Sequence, residues 1–428
     1  MSPSAVPPLS SSAYMLALAL LMLAPLALAG VALMNTGLGR SRSAAQSLLG
    51  SLAVVSVAVI AFAIVGSGFA SGSSSHAFQF DGKLWNWLGN GPFLLAGLAQ
   101  ASPHEQLAIL FEFLSVSMAV LIAWGSGADR FRLAGGIASA AVLALIIFPA
   151  AAHWVWGGGW LAQLGINFSL GAGFADAGGA SASHSLGGLS ALVVVWLSGP
   201  RKAKFPKEEV STAMPGHSAV FVLFGCFLAL VGWLAWNTTG ALLWIGAAPS
   251  VIPVVAVNTL LSAAAGLAGT FFVTRIRFGK PDASLCANGW LAGLVTSSAC
   301  AGVANPIESL AAGLVAGIFT PLLVEVLELA LSIDDPSGAI TVHGAAGLWG
   351  LFAAGIFASE SGQVLAQLIG IAALLGLFLP VTYLLLSLLN RVVPFRADAD
   401  GERLGMDLHE LGGGAYPEFV IHRDDPYR

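Results

Sequence analysis

The sequence predicts an all-α membrane protein that crosses the bilayer many times. Of its 428 residues, 57% are hydrophobic and only 9% are charged, whereas a soluble domain carries about 25% charged residues. A chain this apolar cannot cover its surface with polar groups, so its solvent is lipid. The 52 glycines fit closely packed transmembrane helices, in which small residues let backbones approach each other.

Eleven apolar runs are long enough to cross a hydrocarbon layer about 30 Å thick. Stretches of turn-forming residues, such as GNGP and DDPSG, separate them. We therefore expect eleven transmembrane helices, over residues 13–36, 45–71, 106–128, 133–156, 176–199, 217–238, 250–275, 283–302, 305–331, 338–358 and 363–390.

The basic residues predict which side of the membrane each loop faces. Of the 17 Lys and Arg residues, all except Lys83 follow odd-numbered runs. Short loops rich in Lys and Arg stay in the cytoplasm. We expect the N-terminus outside a cell membrane (the inner or plasma membrane). Residues 1–390 then form the transmembrane domain and residues 391–428 a cytoplasmic tail.

One pattern occurs twice in apolar surroundings. Asp176 stands eight residues before His184, and Asp335 stands eight residues before His343; each histidine opens the pattern H-x-x-x-G-L-x-x-L. An aspartate is a good cap for the first turn of a helix, and eight helical residues rise about 12 Å. Since the fifth and tenth runs point in opposite directions, we expect both imidazoles near the middle of the bilayer.

The duplicated pattern predicts an inverted repeat, with five spans over about residues 13–199, five over about 217–358, and the eleventh span (about 363–390) outside the repeat. Inverted repeats place a transport site near the midplane, where the halves meet. A lone histidine in an apolar helix is as often a core residue with satisfied hydrogen bonds as it is a functional residue. Two at equivalent positions favour a pore lining, and the two aspartates are assigned mainly to capping.

A neutral imidazole pair offers a ring N–H and a lone pair to a crossing molecule, and it can carry a proton. It has no fixed negative charge, so a bare monovalent cation would be poorly compensated for its lost hydration. This chemistry suits a small base that leaves a proton outside, crosses neutral and is reprotonated inside. The net charge of −5 indicates no nucleic-acid partner. No nucleophile motif, phosphate loop or metal-ligand cluster indicates an enzyme.

Five stretches carry a family resemblance: AHWVWGGGWLA from Ala152, DAGGASASH from Asp176, GWLAWN from Gly232, IDDPSGAITVHGAAGLWG from Ile333 and GMDLHELGGGAY from Gly405. Through them the chain resembles the ammonium transporter family, the Amt/Mep/Rh proteins, and especially its bacterial Amt branch. The resemblance implies a homotrimer in the lipid bilayer, with a pore in each subunit. It also implies twin pore histidines at His184 and His343, recognition of ammonium at an outer vestibule, and no cofactor.

The resemblance also assigns roles to single residues. It implies a substrate vestibule that includes Trp156, Asp176, Trp236, Asn237 and Gly240, the last standing where the family has a serine. It implies a gate formed by Phe111, Ser115 and Trp236, of which the last two occupy positions where the family commonly stacks two phenylalanines. Two interpretations stay open. Either the route is unchanged and its gating altered, or the vestibule is reshaped for a larger amine, since Trp faces attract cations.

Glu112 departs from the family, which has an uncharged residue at this place in the third run. A carboxylate inside a membrane span is costly unless it is paired or hydrated. Two interpretations are open here as well. Glu112 is an acid that is bonded to a neighbouring subunit or kept protonated, or it is a cation-attracting acid at the pore entrance.

The tail matches the family in part. The resemblance implies that a PII-type protein regulates transport through this tail. The tail lacks the family's His-Gly-Glu core but keeps four other residues, namely Gly405, Asp407, Ala415 and Tyr416.

Three functions follow from these patterns. The leading one is transport of ammonium or ammonia. The second is an ammonium-binding sensor with little conduction, which the changed gate motivates. The third is a carrier of methylammonium or other organic amines.

Overall fold

The computed structural model describes residues 9–72, 77–206 and 211–416, and most of them lie in helices. Within this part of the chain, ten helices are long and apolar enough to cross a membrane. With the helix Ala283–Cys300 included as span 8, the spans in chain order are Ser11–Leu38 (span 1), Ser41–Ala70 (2), Pro103–Ser126 (3), Leu133–Val155 (4), Ala180–Ser198 (5), Ala219–Trp244 (6), Pro249–Phe278 (7), Ala283–Cys300 (8), Pro306–Ala330 (9), Ile340–Phe357 (10) and Gln363–Val392 (11).

The predicted all-α polytopic fold is confirmed, and each of the eleven predicted runs overlaps one span. Span 8 is less apolar than the other ten because it carries Asn288 and the consecutive residues Thr296, Ser297 and Ser298. These four side chains are buried, since spans 6, 7, 9 and 10 pack around span 8. A span that other spans surround can carry polar groups that lipid would exclude.

Spans 5 and 10 cross each other at the glycines of the duplicated pattern. Each begins with a π-helical turn and continues as an α-helix; the turns are Ala180–Ser185 and Ile340–Ala345. A Cβ atom on Gly188 would lie 2.1 Å from the backbone nitrogen of Gly344, and one on Gly347 would lie 2.5 Å from the Ser185 hydroxyl. The H-x-x-x-G spacing therefore places a residue without a side chain where the two halves touch, one turn after each histidine.

Replacing Gly188 by alanine should lower the free energy of unfolding by about 1–3 kcal/mol, the usual cost of an overpacked core. The added methyl group would collide with the backbone of span 10, which cannot rotate away. Unfolding of the purified protein in detergent measures the effect. Gly376→Ala is the matched control, because a Cβ atom there meets nothing within 4 Å. Equal unfolding midpoints for the two variants would show that the crossing is not tight.

The two ends of the helix bundle differ. At one end, which we call the hairpin face, the strands Ala77–Phe80 (β1) and Lys83–Asn86 (β2) pair as an antiparallel hairpin after span 2. Trp85 and Trp87 of this segment pack against Trp160, with ring centroids 6.1 and 5.7 Å apart. At the other end, the tail face, the segment after span 11 lies across the ends of the spans.

The tail docks on span ends of its own chain through a short helix and a π-helical turn, Ala399–Leu404 and Asp407–Leu411. Asp407 accepts a hydrogen bond of 2.7 Å from the backbone N–H of Gln46, near the start of span 2. Glu410 accepts one of 3.0 Å from the backbone N–H of Leu133, at the start of span 4. Carboxylates at helix N-termini are stabilising. Residues 417–428 of the predicted tail lie outside the described residues.

A buried ion network also lies on the tail face. Arg201 contacts Asp334 at 2.9 Å and Asp129 at 3.0 Å, and Arg130 donates to the backbone carbonyl of Asp334 at 2.8 Å. Burial opposes ionisation of Asp334, but the hydrogen bond from Arg201 and the charges of Arg130 and Arg201 hold its pKa below the ordinary value of 3.8. The network ties together the segments that follow spans 3, 5 and 9.

Candidate functional site

The two histidines of the duplicated pattern lie side by side in the protein interior. The ring centroids of His184 and His343 are 5.4 Å apart, and the ring planes are inclined by 24°. Their exposed fractions are 1% and 3%. Trp233 of span 6 stacks on His184 at 5.0 Å and 14°, and its indole N–H donates to Ser298 of span 8 at 3.0 Å. Residues from four spans therefore build the pair and its support.

The two imidazoles keep hydrogen-bonding capacity that the protein does not use. Within the described residues, neither the two ring nitrogens of His184 nor Nδ1 of His343 have a protein hydrogen-bond partner. A neutral imidazole carries one donor and one acceptor. These atoms can therefore exchange hydrogen bonds with a small molecule that lies beside them.

The helices that carry the histidines begin later than the sequence predicts. Span 5 begins at Ala180 and span 10 at Ile340, only four and three residues before the histidines, so the prediction of eight helical residues from each aspartate is wrong. Asp176 nonetheless accepts from the backbone N–H of Ala180 at 2.8 Å, and Asp335 accepts from that of Ile340 at 2.8 Å. Each aspartate reaches the first turn of its helix across a short loop.

The loop between Asp176 and span 5 is held by hydrogen bonds to its backbone. The indole N–H of Trp156 donates to the Asp176 carbonyl at 2.7 Å. The backbone N–H of Gly178 donates to the Ser298 carbonyl at 2.7 Å. These two bonds fix the loop from two sides, one from the residue that follows span 4 and one from span 8.

Gly240 lies where span 6 comes closest to this loop. A Cβ atom on Gly240 would lie 2.0 Å from the backbone carbonyl oxygen of Ala177. Because any side chain at this position would collide with the loop backbone, the glycine lets span 6 touch the loop directly.

Asn237 joins spans 6, 7 and 8 in the interior. Its amide nitrogen donates to the hydroxyls of Thr259 at 3.0 Å and Ser297 at 2.9 Å. A Cβ atom on Gly178 would lie 2.5 Å from the Asn237 side-chain oxygen. Asn237 therefore contacts the loop that precedes span 5, and it links this loop to the second half of the bundle.

Above the histidines, towards the hairpin face, four aromatic rings pack into what we call the aromatic plug: Phe111, Trp156, Trp236 and Trp244. The Phe111 ring meets the three indoles edge-on, with centroids 5.5, 5.6 and 5.8 Å away. Trp156 and Trp244 stack at 5.2 Å and 11°. Trp236 reaches the pair below, 6.3 Å from His184. The plug therefore separates the histidines from the hairpin face.

Ser115 of the predicted gate and Trp233 lie close to the plug, which contains Trp244. Ser115 lies one turn after Phe111 and is fully buried, and its hydroxyl has no hydrogen-bond partner among the described residues. Sequence reasoning missed Trp233 and Trp244. They lie eleven residues apart, close to three helical turns, so the period of span 6 places them on one face of the helix and could have pointed to them.

A cavity of about 340 Å³ opens beside the plug at the hairpin face. Its wall includes Trp156 and Trp244 of the plug, Glu112 and His104 of span 3, and apolar residues of the 92–101 segment. Glu112 is only 5% exposed. Among the residues that the structure describes, no group of three or more His, Cys, Asp or Glu side chains could hold a metal ion.

A helix bundle whose crossing halves bring two histidines together beneath an aromatic plug has the architecture of a polytopic membrane transport protein. The chain belongs to the Ammonium Transporter Family, whose sequence profile matches residues 13–416. Membership supports ammonium transport and a multi-pass membrane location. It also agrees with the expectation that the chain is not an enzyme, because members of this family are transporters.

Individual relatives support the same assignment. The chain is 31% identical to the ammonium transporter Amt2 of Archaeoglobus fulgidus, over 90% of this chain and 84% of that protein. It is 29% identical to an ammonium transporter of Bacillus subtilis, over 88% and 90%. Among solved structures, a Sensor Amt Protein matches with a TM-score of 0.84 and 26% identity, over 93% of this chain and 98% of the other.

Proposed function

We propose that this chain carries ammonium across the membrane as ammonia, along a path between His184 and His343. The observation that supports the proposal most strongly is the stacked imidazole pair, with three ring nitrogens that no described protein group engages. Ionisable side chains inside a membrane span are energetically costly, and where they occur they usually mark a functional site.

The proposed path begins at the hairpin face, which we place outside the cell because the basic loops lie at the other end. Ammonium is recruited beside Trp156 and leaves a proton before it passes Phe111 and Trp236. Ammonia then exchanges hydrogen bonds with the two imidazoles and takes up a proton on the cytoplasmic side. When the imidazoles relay the proton as well, one positive charge moves inward with each ammonia molecule.

The family resemblance supports the proposed assembly and regulation. We place the chain in the inner or plasma membrane as a homotrimer, with one path in each subunit, the N-terminus outside and the tail in the cytoplasm. Residues 1–390 form the transport domain in this scheme. A PII-type protein that binds the tail would act on spans 2 and 4, because Asp407 and Glu410 hydrogen-bond to their first turns.

A second candidate function is ammonium sensing with little conduction. Two observations favour it: the aromatic plug is closely packed, and a protein whose name is Sensor Amt Protein shares the fold over 93% of this chain. In this scheme ammonium binds beside the plug without passing it. Carriage of methylammonium or larger organic amines is a third candidate, which the cavity beside the plug favours.

Proteoliposomes with a pH-sensitive dye inside distinguish the first two candidates. After an ammonium jump, a transporter alkalinises the lumen when it passes ammonia alone and generates a current when it passes charge. Ammonium binding to the purified protein is measured separately by calorimetry. We expect transport in addition to binding. Binding with neither alkalinisation nor current would establish the sensor instead, and the same assay with methylated amines ranks the substrates.

A further inference from the structure

We propose that the cavity at the hairpin face binds monovalent alkylammonium ions larger than methylammonium, with Glu112 as the counter-charge, and that a bound ion obstructs the path of ammonium. The binding part of this inference stands on the cavity itself. The obstruction part rests on the proposed function, because it takes this cavity as the approach to the plug.

The size of the cavity exceeds what ammonium needs. It holds about 340 Å³, within the range of about 300–1,000 Å³ that is usual for small-molecule sites. An ammonium ion is comparable to a water molecule, whose share of liquid volume is about 30 Å³. Much of the wall is hydrocarbon, supplied by Leu95, Leu98 and Ile109 among others. This composition fits a ligand that has an alkyl group in addition to its charge.

Glu112 brings a buried carboxyl group to the cavity wall. Its side chain lines the cavity and is buried, with an exposed fraction of 5%. In the described part of the chain, no cation forms an ion pair with this carboxylate. Desolvation without a compensating partner is costly for a carboxylate. A cation that enters the cavity offers the missing compensation, so the site selects for positive charge.

The neighbouring acid does not provide a second equivalent charge. Glu105 lies two helical turns before Glu112 and also lines the cavity. Its carboxylate already accepts a hydrogen bond of 2.8 Å from the backbone N–H of Ser102, as part of the capping box that starts span 3. One buried acid without a partner favours a monovalent cation over a diamine.

Two indole rings complete the recognition of a cation. Trp156 and Trp244 form part of the cavity wall, and aromatic faces attract ammonium groups, including alkylated ones. A primary alkylammonium ion can donate hydrogen bonds to Glu112 and place its hydrocarbon on the apolar wall. Ammonium lacks the hydrocarbon, and a neutral alcohol lacks the charge.

Binding to the purified full-length protein tests the inference. Calorimetry or tryptophan fluorescence is recorded with butylammonium, ammonium and 1-butanol. We expect butylammonium to bind at least about tenfold more tightly than ammonium and 1-butanol to show no saturable binding, because only butylammonium meets both the acid and the apolar wall. Equal binding of butylammonium and 1-butanol would overturn the role of charge. Equal binding of butylammonium and ammonium would overturn the role of the apolar wall.

Two matched variants show which of the two acids pairs with the bound cation. Glu112→Gln keeps the shape of the side chain and should weaken butylammonium binding at least about tenfold, because glutamine cannot form an ion pair with the bound cation. Glu105→Gln, which keeps a capping-box residue, should weaken it less than about threefold, as expected for an exposed charge. Unchanged butylammonium affinity in Glu112→Gln would overturn the proposal.

Ammonium flux into proteoliposomes tests whether bound butylammonium obstructs the path of ammonium. The same measurement separates this inference from the proposed function. Butylammonium should inhibit ammonium flux in the wild type at concentrations near its own dissociation constant. Ammonium flux that saturating butylammonium leaves unchanged would overturn obstruction. If the wild type shows no ammonium flux, the proposed function fails, while the binding experiments still decide whether the cavity is an alkylammonium site.

Discussion

Replacing either His184 or His343 by alanine is expected to reduce the ammonium-evoked current of proteoliposomes at least about tenfold. The two rings face each other at 5.4 Å in an interior where the described protein groups leave three of their nitrogens free to bond a passing molecule. A crossing molecule that loses such a partner is penalised by about 1–3 kcal/mol, and about 1.4 kcal/mol is a factor of ten. The proton relay is interrupted in both variants.

The control for this prediction is Thr341→Val, two residues before His343 in the same π-helical turn. Thr341 is buried and its hydroxyl has no partner among the described residues, so valine preserves its shape. We expect this variant to retain most of the current. Undiminished current in both histidine variants, at equal amounts of reconstituted protein, would exclude a path between the imidazoles.

Replacing Arg201 by methionine is expected to lower the free energy of unfolding by about 3–5 kcal/mol, the usual cost of removing one partner from a buried ion pair. Arg201 contacts both Asp334 and Asp129, and all three side chains are at most 5% exposed. Without the guanidinium, the carboxylates keep backbone hydrogen bonds, from residue 201 to Asp334 at 2.8 Å and from Arg40 to Asp129 at 3.0 Å. Their remaining contacts with cationic side chains are longer, at 3.7 Å to Arg130 and 3.9 Å to Arg40. Denaturant unfolding in detergent measures the loss.

Arg277→Met is the control for the Arg201 variant. Arg277 pairs with Glu325 at 2.6 Å but is 49% exposed, and an exposed pair contributes at most about 1 kcal/mol. A loss of stability in Arg201→Met no larger than in Arg277→Met would contradict the role of the buried network.

The pH dependence of stability gives a second readout of the network. Because the pKa of Asp334 is lower in the folded protein than its ordinary 3.8, its ionisation stabilises the fold above that value. This contribution is lost as the pH falls below 3.8 towards the folded pKa. The wild type should therefore lose stability over this acidic interval, and Arg201→Met should show a shallower loss.

The arrangement of the spans could be predicted from the sequence because each span must by itself be apolar and long enough to cross the lipid bilayer. Every crossing needs its own apolar run of sufficient length, so the eleven runs could be located without knowledge of tertiary contacts. The repeated Asp-to-His spacing, in the same way, pointed to His184 and His343 as a pair. Even span 8 was found, although its polar residues become tolerable only through burial by its neighbours.

The details of the site depend on contacts that sequence spacing does not encode. The start of span 5 is delayed to Ala180 because the preceding loop is held by hydrogen bonds from Trp156 and to Ser298. Span 6 continues past its predicted end at residue 238 as far as Trp244, whose ring stacks on Trp156. Likewise, the sequence left Glu112 with two interpretations, and only the fold brings it to a cavity wall.

Currents of the purified wild-type protein on a solid-supported membrane test most directly whether an uncharged path lined by the two imidazoles carries ammonia and a proton. Jumps of ammonium, methylammonium and potassium are applied at equal ionic strength. We predict a current with ammonium and none with potassium, because a bare cation finds no fixed charge between His184 and His343 to replace its hydration. A potassium current comparable to that of ammonium would contradict the uncharged path, and the absence of any ammonium current would contradict the transfer of a proton along it.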